Sequence, residues 1–162
     1  LRPAFQKEGS VTAGNASTIN DGAAAVVLMS EDKAEKLGLT PIAKIISQAS
    51  SAHEPEWFTT APVKAMKKAV KKANLSMNDI DLFEVNEAFS VVTMAAEKDL
   101  SLDSEKVNVL GGAVSMGHPI GASGARIICT LLNAMQQKNV KNGMASICIG
   151  GGEASAIIVE KI

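Results

Sequence analysis

Three short stretches hold side chains able to do chemistry. His118 lies between Gly117 and Pro119 in the run from Asn108 to Gly124, NVLGGAVSMGHPIGASG. Glycine on one side lets a substrate approach closely, and proline on the other fixes a local dihedral and so aims the imidazole. A structural histidine more often sits on the face of an element. Cys148 closes an apolar stretch just ahead of Gly150-Gly151-Gly152. The backbone N–H groups of that run are expected to lower the thiol pKa and to offer an oxyanion site. Cys129, inside a helical pattern, reads as a small hydrophobe. Asn86 opens NEAFS directly after the strand-like DLFEV. An Asn there caps the following helix by default. The functional alternative is a carboxamide that positions a water or polarises a carbonyl.

Other sites are set aside. The glycines have neither P-loop nor GxGxxG spacing. Two His and two Cys show no zinc-ligand spacing. The sequons at Asn15 and Asn74 read as chance matches.

The elements that must position these residues follow from apolar periodicity. Gly22–Met29 reads as a buried strand, Ser30 as the cap of a helix that stops at Gly38, and Ile42–Ser47 as a second strand. A loop follows from His53 to Pro62. Val63–Ala73 is an amphipathic helix, with Val63, Met66, Val70 and Ala73 on one face and five lysines on the other. The lysine run reads as a solvated face rather than a phosphate site. Asp79–Val85 is a turn into a strand, and a helix is expected over Glu87–Leu100, starting at Asn86. Val107–Leu110 reads as a short strand running into the Gly-rich loop, Ala125–Lys138 as a helix, and Ala145–Ile149 and Ala156–Val159 as an antiparallel pair. Alternating strands and helices mean an α/β fold.

Composition narrows the classes. The chain has 162 residues, 46% of them apolar and 20% charged, enough for a sizeable core. Its net charge of −1 lacks the basic footprint of a nucleic-acid or membrane-surface binder. No apolar run is long enough to span a bilayer. Two cysteines with no secretory pattern ahead of them suggest a reducing compartment, not a disulfide framework. The start at Leu1, without Met, suggests a fragment.

Together the motifs NEAFS (86–90), NVLGGAVSMGHPIGASGAR (108–126), ICIGGGEAS (147–155) and TAGNASTINDGAAAVVLMS (12–30) resemble the thiolase family. The resemblance covers nearly the whole chain. It implies the C-terminal part of a thiolase subunit: the last strand and helix of an N-terminal domain over 1–38, then a C-terminal domain over 39–162. It implies a mixed five-stranded sheet between helices, one half of a pseudo-duplicated αβαβα fold. The implied reaction is the reversible Claisen condensation of two acetyl-CoA to acetoacetyl-CoA and CoA. His118 is expected to activate the acyl-accepting thiol and face a thioester oxygen, and Cys148 to act as acid and base on the α-carbon. Asn86 is expected to hold the water of a first oxyanion hole, and the N–H of Gly150 to serve a second. Each such donor is worth roughly 3 kcal/mol.

The acyl-carrying cysteine of the family lies in an N-terminal motif absent here, so these residues alone are not expected to turn over. Ser17-Thr18 and Phe58 resemble the mitochondrial-type short-chain members and their bacterial relatives. That likeness puts Ser17 beside the pantetheine arm, and Phe58, Ala88 and Phe89 near the acyl pocket. It also suggests a potassium ion on the carbonyls of Ala13, Gly14, Ala16 and Val114. CoA thioesters are the expected partners, with no required cofactor, and the family forms homodimers and homotetramers. Bacterial cytoplasm or mitochondrial matrix fits. The alternatives are a longer-chain 3-ketoacyl-CoA thiolase, a Cys–His hydrolase using Cys148, and a non-catalytic thiolase-like fragment.

Overall fold

The computed structural model describes residues 1–162. One sheet holds β1 (Ala43–Ala52), β2 (Leu82–Val85), β3 (Asn142–Ile149) and β4 (Glu153–Lys161), in the order β1-β4-β3-β2. β4 pairs antiparallel with β1 and β3, while β2 runs parallel to β3. The sheet is mixed, as the resemblance implied, but has four strands instead of five. Beyond β2, Val107 makes one parallel bridge to Phe83 and no more. The next residue, Asn108, turns to φ +48° and replaces a backbone partner with its side chain. Its Oδ1 accepts from Val85 N at 2.8 Å and its Nδ2 donates to Val85 O at 2.9 Å.

Helices cover both faces. α2 (Ala61–Ala73) and α3 (Ser90–Leu100) pack one side and α5 (Ser123–Lys138) packs the other. Strand alternation divides the core accordingly. Phe83, Val85, Met144 and Ile158 join Met66 and Val92 on the first face. Leu82, Ala145 and Val159 join Ile127, Leu131 and Met135 on the second.

α2 buries the expected Val63, Met66 and Val70, together with Ala65 and Ala69. It starts earlier than expected, because Pro62 fits the first turn of a helix, where its missing N–H costs nothing. The supposed loop before it holds a 3-10 turn, Pro55–Thr60. The exposed lysines of α2 serve the sheet: Lys68 and Lys72 Nζ donate to Ser50 O (3.2 Å) and Gln48 O (2.8 Å) of the edge strand β1. Charged groups of this kind blunt an open edge. β1 runs to Ala52, past its expected end, because the small residues Ser47, Ala49 and Ser51 alternate inward.

α1 (Glu31–Lys36) has the expected cap: Ser30 Oγ accepts from Lys33 N, and Gly38 at φ +65° ends it. Gly22–Met29 is not a buried strand. It belongs to no strand, and Val27 and Leu28 are 84% and 71% exposed. No strand of this chain lies beside it, and an apolar run forms a ladder only with a partner.

Leu131 is wholly buried under β2 and β3. Leu131→Ala is expected to lower stability by about 2–5 kcal/mol, read as a shift of the urea midpoint. The half-buried neighbour Leu132 should give a clearly smaller shift on the same substitution.

Candidate functional site

Asn86 directly follows β2, and its N–H donates to Ser146 O at 2.9 Å, extending the parallel ladder by one step. Cys148 lies two residues further along β3. Both therefore stand at the carboxyl ends of adjacent parallel strands, the usual place for ligands in such sheets. Asn86 is no helix cap. α3 begins at Ser90, four residues on, and the Asn86 side chain is buried at 1% exposure and turned into the site.

His118 arrives at this edge by a forced turn. The short helix α4 (Ala113–Met116) ends at Gly117, which has φ +98° and whose added Cβ would overlap the side-chain amide of Asn20. Only glycine satisfies both constraints. The N–H of His118 donates to Thr18 O (2.9 Å) and to Asn20 Oδ1 (3.1 Å), so the N-terminal loop holds the histidine backbone. Glu87 clamps the approach. Its Oε1 accepts from Asn108 Nδ2 and its Oε2 from Val114 N, and its carboxylate fills the space that a Cβ on Gly112 would need.

The imidazole belongs to one hydrogen-bonded chain. Arg126 Nη2 donates to Asn86 Oδ1 at 3.3 Å. A guanidinium only donates, so the amide oxygen must face it. Asn86 Nδ2 then donates to His118 Nε2 at 3.3 Å. On the other side of the ring, Nδ1 lies 2.6 Å from Ser123 Oγ, which itself donates to Pro119 O at 3.1 Å. The proton therefore sits on Nδ1, and Nε2 keeps a lone pair. Burial, then the Arg126 charge, hold the His118 pKa below its usual value, which keeps the ring neutral. At the start of α5, Pro119 O accepts from the amides of Ala122 (2.7 Å) and Ser123 (2.9 Å).

Arg126 also reaches Glu84 of β2, with Nη1 3.8 Å from Oε2. Glu84 is 2% exposed, and its Oε1, like Arg126 Nε, has no hydrogen-bond partner. Burial raises its pKa to about 7, against the pull of Arg126 and with a push from Glu87.

Cys148 is half-buried, and burial pushes its thiol pKa up, with only its own backbone amide opposing. The expected lowering by the glycine run does not occur. Gly150 is exposed at the β3–β4 turn. Cys129 is exposed, not the buried hydrophobe expected, and its Sγ lies 3.9 Å from Ala25 O.

A second group forms beside the first. Ser17 Oγ donates to Ala88 O at 2.8 Å, joined by its own N–H at 3.1 Å. Phe89 packs edge-on against Phe58 (6.1 Å) and Phe5 (5.8 Å). Ser17, Phe58, Ala88 and Phe89 are thus gathered together. Of the residues expected to hold potassium, Ala13 and Gly14 lie exposed in a turn and Val114 lies in α4.

The sequence reading missed Glu84, Glu87, Asn108, Ser123 and Arg126. The available signal was a carboxylate inside the apolar strand DLFEV and an arginine one turn into an apolar helix.

Comparison with known proteins places this geometry. Residues 39–161 match the family model described as "Thiolase, C-terminal domain", and residues 1–32 match "Thiolase, N-terminal domain". The chain is 56% identical over 162 residues to an acetyl-CoA acetyltransferase of Escherichia coli and 53% identical to one of Schizosaccharomyces pombe. Each match covers 100% of this chain and 41% of the relative, so the chain spans about two fifths of their length. The crystal structure of the Bacillus anthracis acetyl-CoA acetyltransferase superposes with TM-score 0.98 at 47% identity, covering 100% of this chain and 41% of that one. Human mitochondrial 3-ketoacyl-CoA thiolase in complex with CoA superposes at 0.93 and 44% identity, with the same coverage.

Buried Glu84 has a measurable consequence. Between its ordinary value of 4.5 and about 7, the folded protein holds more protons on this group than the unfolded chain does. Stability therefore falls as pH rises through that window and levels off above it. The stability of the parent minus that of Glu84→Gln is expected to drop by about 3 kcal/mol from pH 4.5 to 8. Urea titrations of both proteins across that range measure it.

Proposed function

The chain belongs to the thiolase family, and from that membership we propose that it works in acyl transfer between CoA thioesters. The reaction is the reversible Claisen condensation of two acetyl-CoA to acetoacetyl-CoA and CoA, with thiolysis as its reverse. The observation that carries this reading is the Asn86–His118 pair set at the carboxyl ends of β2 and β3, with Cys148 on the neighbouring strand.

The lone pair on Nε2 suits a base that takes the proton of an acyl-accepting thiol. Once protonated, Nε2 becomes a donor toward the thioester oxygen, and Asn86 adds its amide or a water that it holds. Cys148 gives its proton to the departing CoA thiolate of the first acetyl-CoA and, as the resulting thiolate, removes a proton from the α-carbon of the second. The carbanion attacks the acyl thioester, the carbon–sulfur bond breaks, and acetoacetyl-CoA leaves as the carrier thiolate recovers its proton from His118 Nε2. A raised thiol pKa suits this role, because the thiolate is a stronger base toward a weakly acidic C–H. The N–H of Gly150 is assigned to the second oxyanion hole. Ser17 is assigned to the pantetheine arm, and Phe58, Ala88 and Phe89 to the acyl pocket. No step passes through potassium.

Neither cysteine here suits the acyl carrier. Cys129 is exposed on α5 with its Sγ against Ala25 O, and Cys148 is held protonated. We assign the acyl-carrying cysteine to a thiolase N-terminal half, with the domain boundary at Gly38. A longer acyl substrate is the second reading, supported by the likeness to human mitochondrial 3-ketoacyl-CoA thiolase. The higher identity to acetyl-CoA acetyltransferases favours the short one.

Acetoacetyl-CoA thiolysis by the purified chain, alone and with a thiolase N-terminal half supplied, tests this. Activity is expected only in the combination, with kcat lowered roughly 10²–10⁴-fold by His118→Ala or Cys148→Ala. Turnover by the 162 residues alone would make Cys148 the nucleophile and overturn the assignment.

A further inference from the structure

We propose that Arg126, anchored by Glu84, is a positioning residue that fixes the orientation of the Asn86 amide and, through it, the tautomer of His118. The kinetic part of this inference rests on the thiolase reading above, while its structural part does not.

A carboxamide has two ends of nearly equal shape and opposite hydrogen-bonding character. Packing alone therefore cannot choose which end of Asn86 faces His118. The guanidinium breaks that symmetry. Nη2 stands 3.3 Å from the amide oxygen and offers only a proton, so the amide nitrogen is left facing Nε2, also at 3.3 Å. Ser123 Oγ, whose proton is directed to Pro119 O, accepts from Nδ1 at 2.6 Å and completes the same polarity. With the amide reversed, two sets of N–H donors would face each other across the Arg126 contact. Nε2 would then need the proton, and Ser123 would have to abandon Pro119. The observed polarity leaves Nε2 as the basic nitrogen.

Glu84 gives Arg126 its position. It alternates with Leu82 onto the α5 face of β2, and its Oε2 lies 3.8 Å from Nη1. Both residues carry an unpartnered polar atom, Oε1 and Nε. A buried ion pair left this incomplete is a poor source of stability, since its desolvation offsets most of the attraction. Its contact with the Asn86 amide is the service that the geometry shows.

The test uses the complete protein with 15N-labelled histidine, and His118→Asn assigns the resonance. Long-range 1H–15N spectra are expected to show Nδ1–H on His118 in the parent. In Arg126→Gln, a mixture with Nε2–H should appear, and the His118 pKa should rise because the nearby positive charge is gone. Arg126→Lys, still a pure donor, should keep the parent tautomer. Under the thiolase reading, Arg126→Gln lowers kcat roughly 10–100-fold, leaves KM within about threefold, and moves the acid limb of the pH profile upward. An unchanged tautomer and pKa in Arg126→Gln would overturn the proposal. Should that variant fail to fold, Glu84→Gln carries the test: a tautomer mixture supports the anchor and a parent spectrum overturns it. The expected NMR changes in a complete protein without thiolysis would uphold the positioning and sink the functional reading instead.

Discussion

Parallel pairing of β2 with β3 requires a connection long enough to bring the chain back to the same edge. Here it spans residues 86–141, from the end of β2 to the start of β3. Asn86, Glu87, His118, Ser123 and Arg126 all lie within it. The connection carries α3 over one face of the sheet, rounds the β2 edge where Val107 touches Phe83, and returns as α5 over the other face. The stretch that rounds the edge holds the glycines and the histidine. One topological requirement thus delivers the imidazole to the strand ends where Asn86 and Cys148 already stand.

The same arrangement explains an otherwise unfavourable interior. A charged pair lies between β2 and α5, among Leu82, Ile127 and Leu131, with two polar atoms unpartnered. Breaking such a pair costs more than its net contribution to stability. It lies one alternation from Asn86, so its field and its hydrogen bonds act on the amide that meets His118. Burial therefore moves three groups in concert: Glu84 and Cys148 toward the protonated form and His118 toward the neutral one. This leaves His118 Nε2 with a lone pair that accepts from Asn86 Nδ2, and Cys148 with its thiol proton.

Much of this was legible in the residues. The caps at Ser30 and Gly38, the buried face of α2, the helix α5 and the β3–β4 pair follow from periodicity and turn chemistry. His118 and Asn86 stood out by type and setting, and they do meet. What failed shares one cause, namely dependence on a distant partner. Gly22–Met29 has strand composition but no strand beside it. The edge residues 107–110 stop because a side chain, Asn108, satisfies Val85 in place of backbone. Asn86 had a valid local reading as a cap, and only Arg126, 40 positions on, shows why its amide turns inward. The Cys148 thiol was judged from nearby glycine amides, whereas burial dominates it.

The central claim is a division of labour in which Cys148 moves protons and never carries the acyl group. Incubating the complete protein with isotopically labelled acetyl-CoA, quenching in acid and mapping the labelled peptides by mass spectrometry tests it directly. The account predicts acetyl on a cysteine other than Cys129 and Cys148, with Cys148 recovered as a free thiol. Acetyl on Cys148 would contradict it.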